Sequence, residues 1–205
     1  MSSYKPKPLE RGSYYHIYNR GNNGIDIFYD TESYYHFLRL YEKYIIPIAD
    51  TFAWCLLKNH FHLLVYIKTD DEIDISKLEY STVESPKVID ASKQFGHLFN
   101  AYTQAINKKF NRTGSLFEKP FERKLVKSEK YFQNLIFYIH NNPVFHRFTD
   151  HINNYPWSSY ETIISDKPTK LKRDNVINIF ESKEKFIDYH SQKQNFNEII
   201  DLIIE

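Results

Sequence analysis

Cysteine is almost absent from this chain: Cys55 is the single one in 205 residues. One cysteine excludes an internal disulfide and argues against a zinc site built from thiolates. Cys55 stands in an apolar segment with strand character, where a lone cysteine most simply acts as a small buried hydrophobe. We therefore predict a packing role for it.

Long hydrophobic runs are missing as well. No apolar run reaches the roughly 18 residues that a membrane-spanning helix needs. The N-terminal sequence MSSYKPKP lacks the apolar stretch of a signal peptide. We therefore expect a cytoplasmic protein that has no membrane partner.

Neither an internal repeat nor a long linker rich in proline and glycine divides the chain. A chain of 205 residues is long enough to bury one good hydrophobic core. The expected organisation is one main domain over residues 1–150, followed by a helical extension over residues 151–205. The extension is expected to pack on the main domain or to trail it.

The net charge is only +1, but the charges are unevenly distributed. Residues 105–130 carry a local charge of +5, and residues 69–90 carry −5. The basic stretch is flanked by Phe110, Phe117 and Phe121, a combination suited to a nucleic-acid groove. A solvated helix end followed by a hairpin explains the basic stretch equally well. The acidic stretch is predicted to be a surface insertion kept away from nucleic acid.

Two histidines in one apolar segment suggest a metal site. His60 and His62 stand two residues apart within what reads as a strand, so both side chains project from the same face while Phe61 points to the other. Two neutral imidazoles can bind one divalent ion and leave positions open for an oxygen ligand and a phosphate. A strand that carries two histidines on its solvent face is the plainer alternative.

A second segment has helical spacing, with apolar residues at positions 132, 135, 136 and 139 behind a start signal at Ser128. Pro143 disfavours a helical conformation for the residue before it, so the helix is predicted to end near Asn142. Tyr138 and Asn142 are then one turn apart on one face. This spacing would place a phenol nucleophile beside an amide oxygen. Tyrosine is common in this chain, however, and most tyrosines in proteins are packing residues.

Periodicity elsewhere completes a β-α-β-β-α-β-α order. Strands are predicted at residues 13–19, 51–57, 60–67 and 121–127. Helices are predicted from Thr31 to Pro47 and from about Ala91 to Phe110. This order is typical of an α+β protein with an antiparallel sheet and helices packed on it.

Five short motifs, in this order along residues 13–161, resemble the REP-associated tyrosine transposases, a branch of the single-tyrosine HUH transposases. The motifs are Tyr18-Asn19-Arg20-Gly21-Asn22-Asn23, His60-Phe61-His62, Gly114-Ser115-Leu116-Phe117, Tyr138-Ile139-His140-Asn141-Asn142-Pro143-Val144 and Tyr155-Pro156-Trp157-Ser158-Ser159-Tyr160. One departure follows Phe117, where Glu118 and Lys119 stand in place of a run similar to Gln-Gly-Arg.

The resemblance implies a ferredoxin-like HUH fold. It also implies that His60 and His62 hold a divalent ion, Mg²⁺ or Mn²⁺, with Asn142 as the third ligand. Tyr138 matches the tyrosine that attacks DNA. The expected activity is that of a metal-dependent single-stranded DNA endonuclease and strand transferase, which cuts at hairpins through a 5′-phosphotyrosine intermediate and works as a monomer or a homodimer.

Two other functions stay open from the sequence. A rolling-circle replication initiator or relaxase uses the same histidine pair, but no tyrosine downstream of His62 has a lysine three residues later, as initiators commonly do. A domesticated protein that binds hairpin DNA without cutting it would keep the same fold.

DNA contacts are expected at seven positions. Arg20 lies beside Gly21 in a turn where backbone can approach a ligand closely, so we expect Arg20 and its neighbour Asn19 at the DNA. Five further basic residues are expected to contact phosphates. They are Lys108, Lys109, Arg112, Arg123 and Lys124.

Overall fold

The computed structural model describes residues 7–73, 89–118 and 120–192. Four strands form one sheet: β1 (Ser13–Arg20), β2 (Ala49–Leu57), β3 (His60–Ile67) and β4 (Glu122–Val126). The α-helices are α1 (Thr31–Tyr44), α2 (Ala91–Lys109), α3 (Glu129–Phe145), α4 (Tyr160–Ile164), α5 (Arg173–Ile179) and α6 (Lys183–Ser191).

The sheet is antiparallel, with the spatial order β2-β3-β1-β4. Strands β1 and β3 lie at its centre and pair over their whole lengths, from Ser13 opposite Ile67 to Arg20 opposite His60. A β-α-β-β-α-β chain order with this strand order is the ferredoxin-like arrangement. The predicted fold is therefore confirmed.

Alternation along the strands gives the sheet two buried faces. Ile17 and Phe61 point to the face covered by α1 and α2, where the Phe61 ring lies 5.4 Å from Phe37 and 5.5 Å from Phe99. The opposite face is covered by α3 and the C-terminal helices. Cys55 is a free cysteine fully buried on this second face, as its predicted packing role requires.

Two of the sequence motifs form hydrogen bonds with backbone groups at the edge and at a strand end of the sheet. The Trp157–Ser159 segment runs along the edge strand β2, where Leu56 N–H donates to Trp157 O (2.9 Å) and Ser159 N–H donates to Trp54 O (2.9 Å). Covering an edge in this way prevents its exposed backbone groups from pairing with another chain. Leu116 and Phe117 are buried beside the end of β1, where the Asn22 N–H donates to Leu116 O (2.9 Å).

A buried hydrogen-bond chain joins the C-terminal helices to α3 and β2. His140 Nδ1 lies 3.0 Å from His190 Nε2, and His140 Nε2 lies 2.8 Å from Ser159 Oγ. The Ser159 hydroxyl also accepts from Trp54 N–H (2.9 Å). With Phe186 fully buried in the same cluster, the described part of the extension shares a hydrophobic core with the second face of the sheet.

The predicted end of the tyrosine helix was wrong. Helix α3 continues through Pro143 to Phe145, and its last turn closes with His146 N–H donating to Asn142 O (3.0 Å). Pro143 removes only its own donor, and the residues around it are buried against the sheet and the extension. Packing has therefore overridden the local preference that proline imposes on the residue before it.

The aromatic residues of the basic stretch pack in the fold, and Phe117 and Phe121 also line a cavity of about 610 Å³. Phe117 and Phe121 are buried, and the Phe110 ring stacks on Tyr29 with 4.6 Å between ring centres. All three aromatic side chains therefore contribute to packing in the fold.

Most of the acidic stretch, residues 74–88, lies outside the described residues. The prediction that this stretch is a surface insertion therefore also falls outside the described residues. Within the described ranges, no helix is long and apolar enough to cross a membrane.

Candidate active site

Four side chains singled out from the sequence meet at the second face of the sheet. His60 and His62 come from the start of β3, and Tyr138 and Asn142 come from α3. His60 Nε2 lies 2.9 Å from Asn142 Oδ1, and the Tyr138 ring stands edge-on to His62 with 5.2 Å between ring centres. The strand and helix periods therefore bring together residues that are about 80 positions apart in the chain.

His60 is held between two amide groups. Its Nδ1 lies 2.8 Å from Asn59 Oδ1, and its Nε2 faces Asn142 Oδ1. Burial lowers the pKa of His60 to about 4, against the opposing effect of the Asn142 contact, so the ring is neutral at pH 7 and has one N–H. If Nδ1–H donates to Asn59, the lone pair of Nε2 faces the Asn142 oxygen, an arrangement that a cation would stabilise.

His62 is buried more deeply and pairs with another histidine. Its Nδ1 lies 2.9 Å from Nε2 of His16, a fully buried residue of β1. Burial lowers the pKa of both rings, that of His16 to about 3. Within the described part of the chain, His62 Nε2 is a buried nitrogen that has no hydrogen-bond partner.

The donor set fits a divalent ion. Adjacent ligands of an octahedral ion with bonds of about 2.1 Å lie about 3 Å apart, and the separation between His60 Nε2 and Asn142 Oδ1 is 2.9 Å. The unpartnered Nε2 of His62 also marks the place as incomplete by the rule that buried polar groups are paired. No three His, Cys, Asp or Glu side chains cluster as ligands in the described ranges, so an amide oxygen would have to complete the set.

Tyr138 lies beneath the histidines and is only 2% exposed. Its ring also lies near Phe145 of the same helix, with 6.3 Å between ring centres. Attack on a phosphate that enters from solvent would therefore need a rearrangement of side chains around this ring.

The histidines open into a cleft of about 460 Å³ between the ends of β1, β3 and α3. Arg20 lines this cleft, and its Nε donates to Glu118 Oε1 at 2.8 Å, while its contact with DNA stays a prediction. Asn19 is buried, and its side-chain amide donates to Glu118 O (3.1 Å). The cleft is also lined by Glu122, so its charge is mixed.

Position 21 requires glycine for a local steric reason. A Cβ at Gly21 would lie 1.9 Å from Ile25 O, so the backbone is close to its own chain here. This contact explains the glycine, and the expected approach of the turn to a ligand stays a prediction.

The five basic residues expected at DNA lie on different parts of the molecule. Lys124 faces the same side of the sheet as its cross-strand partner His16. Arg123 points to the opposite side, where it donates to Ser92 Oγ (3.0 Å) and lies 3.8 Å from the Phe121 ring centre. The other three, Lys108, Lys109 and Arg112, lie at or just beyond the C-terminal end of α2.

Sequence reasoning did not single out two histidines of this site. His16 lies in β1 at the position diagonal to His62 across β1 and β3, and such a diagonal position could have suggested the contact. His146 lines the cleft, and its ring centre is 4.7 Å from that of His60. Because the helix was predicted to end at Asn142, His146 was not placed on it. A continued helix places residue 146 one turn after residue 142.

Comparisons with known proteins agree with the motifs. No family model matches the chain. A Haemophilus influenzae protein provisionally named a REP-associated tyrosine transposase is 24% identical over 112 residues, which are 54% of this chain and 58% of that protein. The match thus spans less than two thirds of the curated relative.

Among solved structures, the fold is similar to that of a REP-associated tyrosine transposase bound to a REP hairpin. The TM-score is 0.59 at 17% identity, covering 82% of this chain and 89% of the other. A bacterial tRNA(His) guanylyltransferase-like protein in complex with GTP reaches a TM-score of 0.40 at 8% identity, covering 72% of each chain. Sequence and fold together confirm the resemblance found in the motifs: this chain is similar to REP-associated tyrosine transposases.

Proposed function

We propose that this chain is a divalent-metal-dependent endonuclease and strand transferase that acts on single-stranded DNA at hairpins. The observation that carries the proposal is the meeting of Asn142 and Tyr138 with His60 and His62, the two histidines that line the cleft. The family resemblance supports a divalent ion in general, and the similar structure bound to a REP hairpin supports the class of DNA.

The proposed step is a transesterification. The hydroxyl oxygen of Tyr138 attacks the phosphorus of a phosphodiester, the bond from phosphorus to the 3′ oxygen breaks, and the phenol proton ends on the departing 3′ oxygen. The DNA stays attached to the protein as a 5′-phosphotyrosine. Because one phosphodiester replaces another, the released 3′-hydroxyl can reverse the step.

The proposed step needs a nucleophile, a divalent ion and residues that hold both in place. Tyrosine has an ordinary pKa near 10, so its hydroxyl is a weak nucleophile at neutral pH. A bound Mg²⁺ or Mn²⁺ would polarise the scissile phosphate and stabilise the charge of the transition state. His60, His62 and Asn142 would hold that ion, with imidazole ligands favouring Mn²⁺, while α3 fixes Tyr138 one turn before Asn142.

A second candidate is a protein that binds hairpin DNA without cutting it. The burial of Tyr138, at 2% exposure, favours this alternative, because a nucleophile has to reach its phosphate. The two functions share the cleft and differ in whether Tyr138 forms a covalent bond.

A covalent-capture experiment separates them. The protein is incubated with Mn²⁺ and labelled single-stranded hairpins from the flanks of its own gene, and adducts are resolved on a denaturing gel. We expect an adduct with the native chain and none with Tyr138→Phe, whose hairpin affinity should stay within about a few-fold because only one oxygen is lost.

Tyr131→Phe is the matched control on the same helix, and it should form the adduct normally. An adduct that persists in Tyr138→Phe would place the nucleophile elsewhere. Hairpin binding without any adduct from the native chain would favour the non-cutting candidate.

A further inference from the structure

We propose that His16 orients His62 towards the divalent ion, by accepting a hydrogen bond from His62 Nδ1 so that the Nε2 lone pair is left for the ion. This inference rests on the proposed metal site at His60, His62 and Asn142. His16 would be a positioning residue that acts through His62.

The two rings are placed for one short hydrogen bond. His16 Nε2 and His62 Nδ1 are 2.9 Å apart, and with 5.1 Å between ring centres and 28° between ring planes the two rings meet edge to edge. The exposed fraction is 0% for His16 and 2% for His62, so water does not compete for the contact. The direct cross-strand partner of His62 is Tyr18, and His16 reaches it from the diagonal position.

Two ring nitrogens 2.9 Å apart share one proton, because two N–H groups or two lone pairs would repel each other at that distance, so the pair has two possible proton orders. In one order, His62 Nδ1–H donates to His16, and the lone pair of His62 Nε2 is available. In the other order, His16 Nε2–H donates to His62, and the remaining proton of His62 blocks Nε2.

The number of satisfied hydrogen bonds in the protein alone is the same for both orders. His16 Nδ1 and His62 Nε2 are both buried atoms that have no hydrogen-bond partner in the described chain. Either order therefore leaves one N–H and one lone pair unsatisfied, and only their positions are exchanged. A cation beside His62 Nε2 removes this balance, because it binds a lone pair and is repelled by an N–H.

This arrangement matches a general feature of metal sites. A histidine ligand usually donates its second ring N–H to an acceptor, which fixes the tautomer and makes the ligating nitrogen more basic. His60 has Asn59 Oδ1 in that place, at 2.8 Å. For His62 the acceptor would be His16, so each histidine ligand has its own partner.

Two amide substitutions at residue 16 test the proposal. The Gln side chain places its terminal amide where His16 has Nε2, whereas Asn reaches only the position of Nδ1. We expect Mn²⁺ affinity, measured by the resonance signal of free Mn²⁺, to stay within about a few-fold in His16→Gln and to fall about 10- to 100-fold in His16→Asn.

A control variant accounts for general loss of packing. His190→Gln changes another buried histidine pair, with His140, and should leave Mn²⁺ affinity unchanged. Thermal unfolding of the metal-free variants shows whether each one folds. Equal Mn²⁺ affinity in folded His16→Asn and the native chain would overturn the inference.

A second measurement reads the proton directly. In the native chain loaded with diamagnetic Mg²⁺, ¹⁵N NMR should show coupling across the hydrogen bond with the proton on His62 Nδ1. A proton on His16 Nε2 would overturn the inference even if the ion binds. Failure of the native chain to bind either ion would instead overturn the proposed metal site itself.

Discussion

At the residue scale, the proposed contact of Arg20 with DNA competes with an ion pair between Arg20 and Glu118. The carboxylate accepts from Arg20 Nε at 2.8 Å, and backbone contacts hold Glu118 in place, with its N–H donating to Arg20 O at 3.0 Å. Both side chains are partly exposed, and an ion pair of this kind contributes about 0–1 kcal/mol. A DNA phosphate or base can therefore displace Glu118 at little cost, but the carboxylate also repels the DNA backbone.

We therefore predict that Glu118→Gln strengthens hairpin binding by several-fold, because it removes the repulsion and releases Arg20. Binding measured at several salt concentrations should gain about one unit of salt dependence if Arg20 takes up a phosphate. Glu122→Gln is the control, since Glu122 lines the same cleft and loses the same charge. Equal gains in the two variants would mean that only the overall charge of the cleft matters.

At the element scale, the turn after β1 fixes the ends of the strands that carry Arg20 and His60. Gly21 N–H donates to Asn59 O at 2.8 Å, which ties this turn to the hairpin between β2 and β3. A side chain at Gly21 would collide with the backbone at Ile25. The glycine is needed here for space, since its φ of −65° is accessible to any residue.

Gly21→Ala should accordingly lower stability by about 2 kcal/mol or more, which for a chain of this size lowers the melting temperature by about 4 °C or more. Gly96→Ala is the matched control, because Gly96 lies within α2 and its new Cβ would meet nothing within 4 Å. Alanine should stabilise that helix by up to about 1 kcal/mol. Thermal unfolding of both variants checks the opposite signs, and an unchanged melting temperature in Gly21→Ala would contradict the steric argument.

At the scale of the whole molecule, the buried histidine pair of α3 and α6 makes stability depend on pH. Burial lowers the pKa of His190 to about 4 and that of His140 well below its ordinary value of 6.5. Both rings are neutral when folded, whereas both gain a proton readily when unfolded. Their contribution to stability is therefore complete above about pH 6.5 and is lost as the pH falls towards 4.

Denaturant unfolding in the presence of a chelator should show this loss. Below about pH 6.5 we expect the free energy of unfolding to fall, with each of these two histidines contributing up to about 1.4 kcal/mol per pH unit beside the contributions of the buried His16, His60 and His62. His140→Gln should show a shallower dependence, because one titrating group is gone. Equal stability at pH 7 and pH 5 would contradict the neutral, buried pair.

Much of the fold and of the candidate site could be predicted from the strand and helix periods in the sequence. The two-residue period of a strand placed His60 and His62 on one face and Phe61 on the other, and the helical period placed Tyr138 and Asn142 one turn apart. Strand and helix order predicted an antiparallel sheet with helices packed on it, and the family resemblance implied its ferredoxin-like form. Local rules failed at Pro143, where burial of the helix outweighed the preference of the preceding residue.

The sequence by itself determined the elements and their faces, because backbone geometry repeats within a few residues and leaves a readable pattern. Only the tertiary structure decided which side chains meet across elements: His62 with His16, Arg20 with Glu118, and the Tyr138 ring with the underside of the histidines. Those contacts join residues far apart in the chain, and they depend on strand register and helix packing, which no local pattern encodes.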